Sequence, residues 1–238
     1  MKKDKLRDNL FIYQREDLFR YGIDAVLLAH FSMGLKGKVL DLGTGSGIIP
    51  LLLSTSPGIE QITGLEYQKE ALELAKKSVV DNGLTDRVTL VHGDLMKIEE
   101  YFEKESFTGL VSNPPYFEKG HGLSCQDLPR EISRSEKVMD LEGLIRASSY
   151  LLRPKSPINL IYRPRRLAQL ISLLTNYGLE PKTLRMVHPR RGKEANLVLL
   201  EAIKGGGRQL RILDPLFVYE EGDYSKETLK IYEELRML

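Results

Sequence analysis

Apolar positions recur along this chain in two alternating rhythms. Short, nearly continuous apolar runs at Lys38–Leu42, Gln61–Leu65, Val88–Val91, Phe107–Ser112 and Ile158–Ile161 predict buried strands. Between them lie stretches with helical spacing: Ile48–Ser54, Lys69–Asn82, Leu141–Leu152 and Arg165–Tyr177. Gly83 and Gly178 follow two of these helices where a chain leaves in the left-handed conformation, and Pro154 follows a third. Leu184–His188 and Asn196–Ile203 read as a closing antiparallel pair. Strands alternating with helices predict an α/β fold, a doubly wound and mostly parallel sheet. Ahead of the first strand, Ala25, Leu28 and Ala29 put an apolar face on an amphipathic helix, with Asp24 as its cap. Residues 113–139 form a polar connection longer than a routine loop, and such loops are usually functional or disordered.

Composition narrows the class. A length of 238 residues fits one sizeable domain with extensions, or two small ones. No apolar run approaches the roughly 18–20 residues that span a bilayer. The basic start, Met1-Lys2-Lys3-Asp4-Lys5, lacks the apolar stretch of a secretory signal. The single cysteine, Cys125, forms no internal disulfide, which fits a reducing, cytoplasmic setting. It reads as an ordinary loop cysteine, and with the scattered histidines it gives no metal-ligand spacing. Net charge is only +2, so the position of the charges matters more than their sum.

Val39-Leu40-Asp41-Leu42-Gly43-Thr44-Gly45-Ser46-Gly47 runs from a buried strand into a turn with glycines at alternate positions, and a helix follows. Glycine there permits positive φ and close approach of a ligand. The spacing is not the G-x-G-x-x-G of dinucleotide sites. Asp41 would repel a pyrophosphate and suits a ligand with a positive centre, an ammonium or a sulfonium. Glu66 closes the next strand, where a carboxylate can hold both hydroxyls of a ribose. Asp94 closes the third, where it can accept the exocyclic amine of an adenine. Each acid alone is more readily a solvated loop carboxylate or a helix cap. Together, on successive strand ends, they describe a pocket for S-adenosylmethionine.

The fourth strand runs into Asn113-Pro114-Pro115-Tyr116. A Pro-Pro turn closing a strand needs no function, but this one carries suitable chemistry. The lone pair of an amino group on an unsaturated carbon is delocalised, which makes it a poor nucleophile. The Asn113 carboxamide oxygen and the Pro114 carbonyl can each accept one of its N–H bonds. The prolines fix φ and hold these acceptors in place before substrate arrives. Tyr116 offers a ring face for a base.

These segments resemble the motifs of class I S-adenosylmethionine-dependent methyltransferases. Asp41 to Gly47 is similar to their first motif, Glu66 to the second and Gly93-Asp94-Leu95 to the third. Asn113-Pro114-Pro115-Tyr116 is similar to the fourth motif of the amino-methylating branch. The resemblance implies a Rossmann-like, mostly parallel seven-stranded sheet with an antiparallel closing strand. It implies S-adenosyl-L-methionine as cofactor, with contacts from Tyr21, Asp24, Asp41, Gly43, Thr44, Gly45, Gly47, Glu66, Tyr67, Asp94, Leu95 and Asn113. The segment Tyr21 to Ala29 resembles one that folds over the methionine end of the cofactor. The implied division is a covering segment over 1–36, a methyltransferase domain over 37–204 and a C-terminal extension over 205–238.

The amine itself is less sharply defined, because the same turn serves adenine N6, cytosine N4, guanine N2 and glutamine. Within the branch the chain most resembles the bacterial tRNA1(Val) adenine-N6 methyltransferases. The carriers are Asn113-Pro114-Pro115-Tyr116-Phe117, Arg130-Glu131-Ile132-Ser133-Arg134-Ser135-Glu136 and His188-Pro189-Arg190-Arg191-Gly192-Lys193-Glu194-Ala195-Asn196, with Lys204-Gly205-Gly206 and Val218-Tyr219-Glu220 further on. The family often reads Arg-His-Glu where this chain has Arg134-Ser135-Glu136. The implied substrate is a tRNA adenosine in the anticodon loop. Alternatives are ribosomal RNA guanine, a release-factor glutamine, or a non-catalytic RNA-binding protein on the same fold. Basic residues gather in the second half, from Arg163, Arg165 and Arg166 through Lys182, Arg185, Arg190, Arg191 and Lys193 to Lys204, Arg208 and Arg211. Such a stretch can track phosphates. Phe117, Arg130, Arg134, Arg163, Arg165, Arg190, Arg191 and Lys193 are the candidate RNA contacts. The loop from Phe117 to Met139 is expected to be mobile without RNA, and the protein to act as a monomer.

Overall fold

The computed structural model describes residues 2–7, 10–15, 22–115 and 140–237. Tyr21, Tyr116, Phe117, Arg130, Arg134, Cys125 and the whole 117–139 loop lie outside the described residues.

The chain opens with a hairpin that the apolar pattern does not announce, β1 (Lys2–Arg7) and β2 (Leu10–Gln14). Helix α1 (Ile23–Phe31) follows, then β3 (Gly37–Leu42), α2 (Ile48–Leu53), β4 (Ile59–Glu66), α3 (Lys69–Asp81) and β5 (Val88–His92). A 3-10 turn, Leu95–Glu100, leads to β6 (Gly109–Ser112). Phe107 was expected inside that strand. It makes only an isolated bridge to Leu152 and turns its ring into the core. The second half holds α4 (Leu141–Leu151), β7 (Pro157–Tyr162), a 3-10 turn at Pro164–Arg166, α5 (Leu167–Asn176), β8 (Leu179–His188) and β9 (Leu197–Lys204). It ends with β10 (Arg211–Ile212), β11 (Leu216–Phe217), the short hairpin β12 (Tyr219–Glu220) and β13 (Asp223–Tyr224), and α6 (Lys226–Met237).

Among the described residues the main sheet has nine strands, in the order β10-β8-β9-β7-β6-β3-β4-β5, with β11 also paired to β8. Only β9 runs against the others. The class I arrangement is therefore present from β3 to β9, and the two extra strands come from the C-terminal residues. Strand residues alternate between two cores, as the period of two demands. Val39, Val111 and Ile161 join the core under α1, α2 and α6, whereas Leu40, Leu110 and Leu160 join the one under α4 and α5. The N-terminal hairpin lies on α3, where the Tyr13 hydroxyl donates to Asp81 at 2.6 Å and the Tyr13 amide to Ser78 Oγ at 2.9 Å.

Helix α1 departs from its expected form. Residues Asp24 to Ala29 are all buried, so the helix is not amphipathic. It is enclosed between the sheet and α6, with His30 Nε2 2.6 Å from Glu234 on that helix. Asp24 is not the cap. Gly22 holds the N-cap position, and Asp24 stands in the first turn with Oδ1 accepting from the Ala25 amide at 2.9 Å. Among the described residues no helix is long and apolar enough to cross a membrane.

Candidate active site

β3 and β6 are neighbours, with Asp41 level with Val111. β3 is followed by α2 on one face of the sheet, and α4, next after β6, lies on the other. This reversal opens a crevice beyond the carboxyl ends of the two strands, where open α/β sheets bind ligands. The Ser112 hydroxyl donates to the Leu42 carbonyl at 2.7 Å and ties the two strand ends together.

The glycine turn leaves β3 beside this crevice and is bonded to the end of β4. Gly43 and Thr44 both donate to the Leu65 carbonyl at 3.0 Å. Gly45 has φ +56° and Gly47 φ +84°, conformations that side chains disfavour. A Cβ on Gly45 would meet nothing within 4 Å, so the backbone there is open to a ligand. A Cβ on Gly47 would lie 3.0 Å from that of Ala75. Gly47→Ala is therefore expected to cost about 1–2 kcal/mol from backbone conformation alone. A lowered denaturant midpoint would register the loss, and an unchanged midpoint would show that the turn relaxes freely.

Glu66 is buried and stitches two strand ends together. Its Oε2 accepts from the Gly45 amide and its Oε1 from the Gln68 amide, both at 2.8 Å. Burial raises its pKa, and those backbone N–H bonds pull it back. Each oxygen keeps acceptor capacity for a hydroxyl. Next to it, the Tyr67 ring is 46% exposed. The Tyr67 carbonyl lies 2.8 Å from His92 Nε2, a restraint that sequence reasoning missed although it had placed His92 at a strand end. Asp94 Oδ1 accepts from the Met96 amide at 2.9 Å and so caps the 3-10 turn. The capping reading of Asp94 thus holds for one oxygen, and Oδ2 remains for a ligand amine. Leu95, the next residue, is buried.

Asp41 carries the strongest electrostatic signal. It is wholly buried, and among the described residues neither carboxylate oxygen has a hydrogen-bond partner. Burial pushes its pKa from 3.8 up to about 7; the nearby Thr44 hydroxyl lowers it somewhat without completing a well-formed hydrogen bond, and the Glu66 charge raises it further. A buried carboxylate without a partner is costly unless a cation meets it. S-adenosylmethionine carries an ammonium and a sulfonium, a ribose diol and an adenine amine. The partnerless Asp41, the open face of Gly45, the acceptors of Glu66 and the free oxygen of Asp94 fit that molecule.

Asn113 and Pro115 are half-buried and Pro114 buried, directly beyond β6 and beside the glycine turn on β3. The basic residues of the second half divide. β8 and β9 carry them to opposite ends of the sheet. Arg163 donates to the Asn196 carbonyl at 3.1 Å, which groups it with Arg190, Arg191 and Lys193 at the carboxyl edge. Arg165 is exposed just beyond. Lys182 and Lys204 sit at the far end, bonded to the Gly207 carbonyl and to Glu105. Arg185 pairs with Glu227. The basic residues are thus not contiguous in space, because reversal of the chain at residues 189–196 places them at both ends of the sheet.

A methyltransferase small domain family model matches residues 21–147. A tRNA1(Val) (adenine(37)-N6)-methyltransferase of Porphyromonas gingivalis is 30% identical over 206 residues, 81% of this chain and 80% of that protein. One of the same name from Tolumonas auensis is 29% identical, covering 76% of this chain and 75% of its own. Among solved structures, a predicted O-methyltransferase from Agrobacterium tumefaciens shares the fold with a TM-score of 0.71 at 24% identity, over 90% of this chain and 96% of that one. Geranyl diphosphate methyltransferase in complex with S-adenosylmethionine shares it with a TM-score of 0.56 at 14% identity, over 75% and 84%. The chain therefore belongs to the methyltransferase small domain family and is an S-adenosylmethionine-dependent N-methyltransferase.

Proposed function

We propose that this enzyme methylates N6 of an adenosine beside the anticodon of a tRNA, with valine tRNA the expected acceptor and the cytoplasm its place of work. The observation that carries the chemistry is the position of Asn113-Pro114-Pro115. The turn ends β6 at the same crevice as the partnerless Asp41 on β3. The names of the relatives at 29–30% identity support adenosine and tRNA. So do Arg163, Arg190 and Lys193 at the same edge of the sheet.

In this reading Asp41 and the Gly43–Gly47 backbone hold the methionine end of the cofactor, with Thr44 beside them. Glu66 takes the ribose diol, Tyr67 and Leu95 flank the adenine, and Asp94 Oδ2 accepts its amine. The bound cofactor supplies an electrophilic methyl group. Asn113 Oδ1 and the Pro114 carbonyl accept the two N–H bonds of the target amine and raise electron density on its nitrogen. Pro115 stiffens the turn, and Tyr116 is assigned to stack on the target base. An anticodon loop already presents unpaired bases, so little energy goes into base flipping. No general base is required, since the amine sheds its proton after it becomes positively charged. Positioning and pre-set dipoles account for the rate.

The test compares methyl incorporation into unmodified tRNA, ribosomal RNA and release factor, with mass spectrometry of tRNA nucleosides from cells with and without the protein. N6-methyladenosine in tRNA that vanishes with the protein is the expected result. Incorporation into ribosomal RNA or release factor alone would assign the site to guanine or glutamine instead.

A further inference from the structure

The C-terminal residues build a second recess on the edge that carries the reaction site. β11 runs parallel to β8 with Phe217 opposite His188, which brings the following chain against the 189–196 turn. The Val218 amide donates to the His188 carbonyl at 2.9 Å, and the Tyr219 amide to the Pro189 carbonyl at 2.8 Å. The Arg191 guanidinium lies 4.7 Å from the Phe217 ring centre and 3.8 Å from Glu220. Arg191 therefore ties the turn to the extension. The β12–β13 hairpin is fixed by a ladder of rings. Tyr219 stacks on Tyr224 at 5.3 Å and 18°, and Tyr224 on Tyr232 at 5.5 Å and 26°. Ser225 Oγ accepts from the Thr228 amide and caps α6 just after the hairpin.

Between turn and hairpin lies a groove of about 900 Å³, lined by Arg190, Lys193, Glu194, Tyr219 and Glu221. Two cationic and two anionic side chains share it, yet none of the four makes an ion pair or side-chain hydrogen bond among the described residues. Tyr219, the exposed end of the ring ladder, retains 43% of its surface. One ring face is taken by Tyr224, and the side chain also walls the groove. A rigid aromatic platform beside unpaired cations is the arrangement that holds single-stranded nucleic acid. Carboxylates add acceptors that can read an exocyclic amine on a base.

We propose that this groove is a nucleotide subsite for the RNA substrate, an inference that rests on the tRNA reading above. An unpaired base stacks on Tyr219, its phosphate meets Arg190 and Lys193, and Glu194 or Glu221 accepts from its amino group. The subsite prefers adenine, cytosine or guanine to uracil, which lacks that amine. β8 lies three strands from β6, about 14 Å at ~4.8 Å per step, so the subsite takes a nucleotide flanking the target.

The experiment uses the full chain with Tyr219→Ala, Tyr219→Phe and the double variant Arg190→Ala/Lys193→Ala. Each is assayed on unmodified tRNA, with thermal melting and cofactor calorimetry as controls. Tyr219→Ala is expected to raise KM for tRNA by about 5- to 150-fold, the loss of one stacked base, with kcat and cofactor affinity unchanged. Tyr219→Phe restores the wild-type KM, and the double variant also raises it. Wild-type protein should bind fluorescent oligoadenylate more tightly than oligouridylate, and Tyr219→Ala should erase the difference. A KM unchanged in both Tyr219→Ala and the double variant overturns the subsite and leaves the tRNA reading standing. Binding of adenosine monophosphate that an oligonucleotide does not displace also overturns it. If tRNA is not methylated but oligoadenylate binds through Tyr219, the tRNA reading falls and the groove stands as a nucleotide site.

Discussion

Asn113→Ala is expected to lower the single-turnover methyl-transfer rate by about 10²–10³-fold, roughly 3–4 kcal/mol of lost stabilisation. The residue stands where the chain leaves β6, on a strand end fixed to β3 by Ser112. Its acceptor is therefore set before substrate arrives, and reorganisation does not dilute its effect. Truncation leaves the Pro114 carbonyl as the remaining proposed acceptor, holding one N–H where the mechanism needs two. Cofactor affinity, measured by calorimetry, should fall far less, because Asp41, Glu66 and Asp94 are untouched. Asn113→Asp retains an acceptor oxygen and should keep more of the rate. An alanine variant within about tenfold of wild type would remove Asn113 from the chemistry.

Asp41→Asn is expected to act on stability and binding in opposite directions. In the cofactor-free protein the buried, partnerless carboxyl has its pKa raised from 3.8 to about 7. The folded state then holds more protons than the unfolded chain between those values. Stability accordingly falls as pH rises through that window, and the full penalty is present above about pH 7. At ~1.4 kcal/mol per pKa unit the penalty has a ceiling of roughly 4 kcal/mol. Asparagine removes it, so the cofactor-free variant should melt higher than wild type at pH 8, and the gain should vanish by pH 4. Affinity for S-adenosylmethionine should drop by about 30-fold or more, since the buried cation of the cofactor loses its anionic partner. In the wild type the cation favours the ionised carboxylate. Below about pH 7 its binding must release a proton, and affinity should weaken by up to about tenfold per pH unit. Calorimetry in buffers of different ionisation enthalpy detects that proton. A pH-independent affinity together with an unchanged melting temperature in Asp41→Asn would show that this carboxylate is not the cation's partner.

Chemistry encoded by neighbours in sequence was readable, and contacts between distant segments were not. The glycine turn, Glu66 and Asp94 each follow a strand within a few residues, so their common edge follows from α/β topology alone. The Asn113 turn is legible for the same reason. Strand β8 starts five residues before the sequence-based boundary at Leu184. Pro181 lies inside it, where proline is disfavoured, but the pairing shifts register between Pro181 and Thr183 and the strand continues. Along the chain the basic residues of the second half form one stripe. In the fold, Lys182 and Arg190 stand near opposite ends of β8, about 26 Å apart at ~3.3 Å per residue. His92 had no chemical reason to be chosen until its contact with the Tyr67 carbonyl was visible. The groove at Tyr219 needs the 189–196 turn and the C-terminal hairpin together, and neither announces the other.

The enclosure of α1 has a consequence for biogenesis. The helix is synthesised early, yet its outer wall is α6, whose Glu234 meets His30 across 204 residues of sequence. At roughly 5–20 residues per second, the nascent chain carries an uncovered apolar helix for about 10–40 s. The enclosure of α1 is therefore complete only once α6 has left the ribosome. A message cut short after β9 would give a chain with every methyltransferase motif translated and α1 still bare, a substrate for chaperones and proteases rather than an active enzyme.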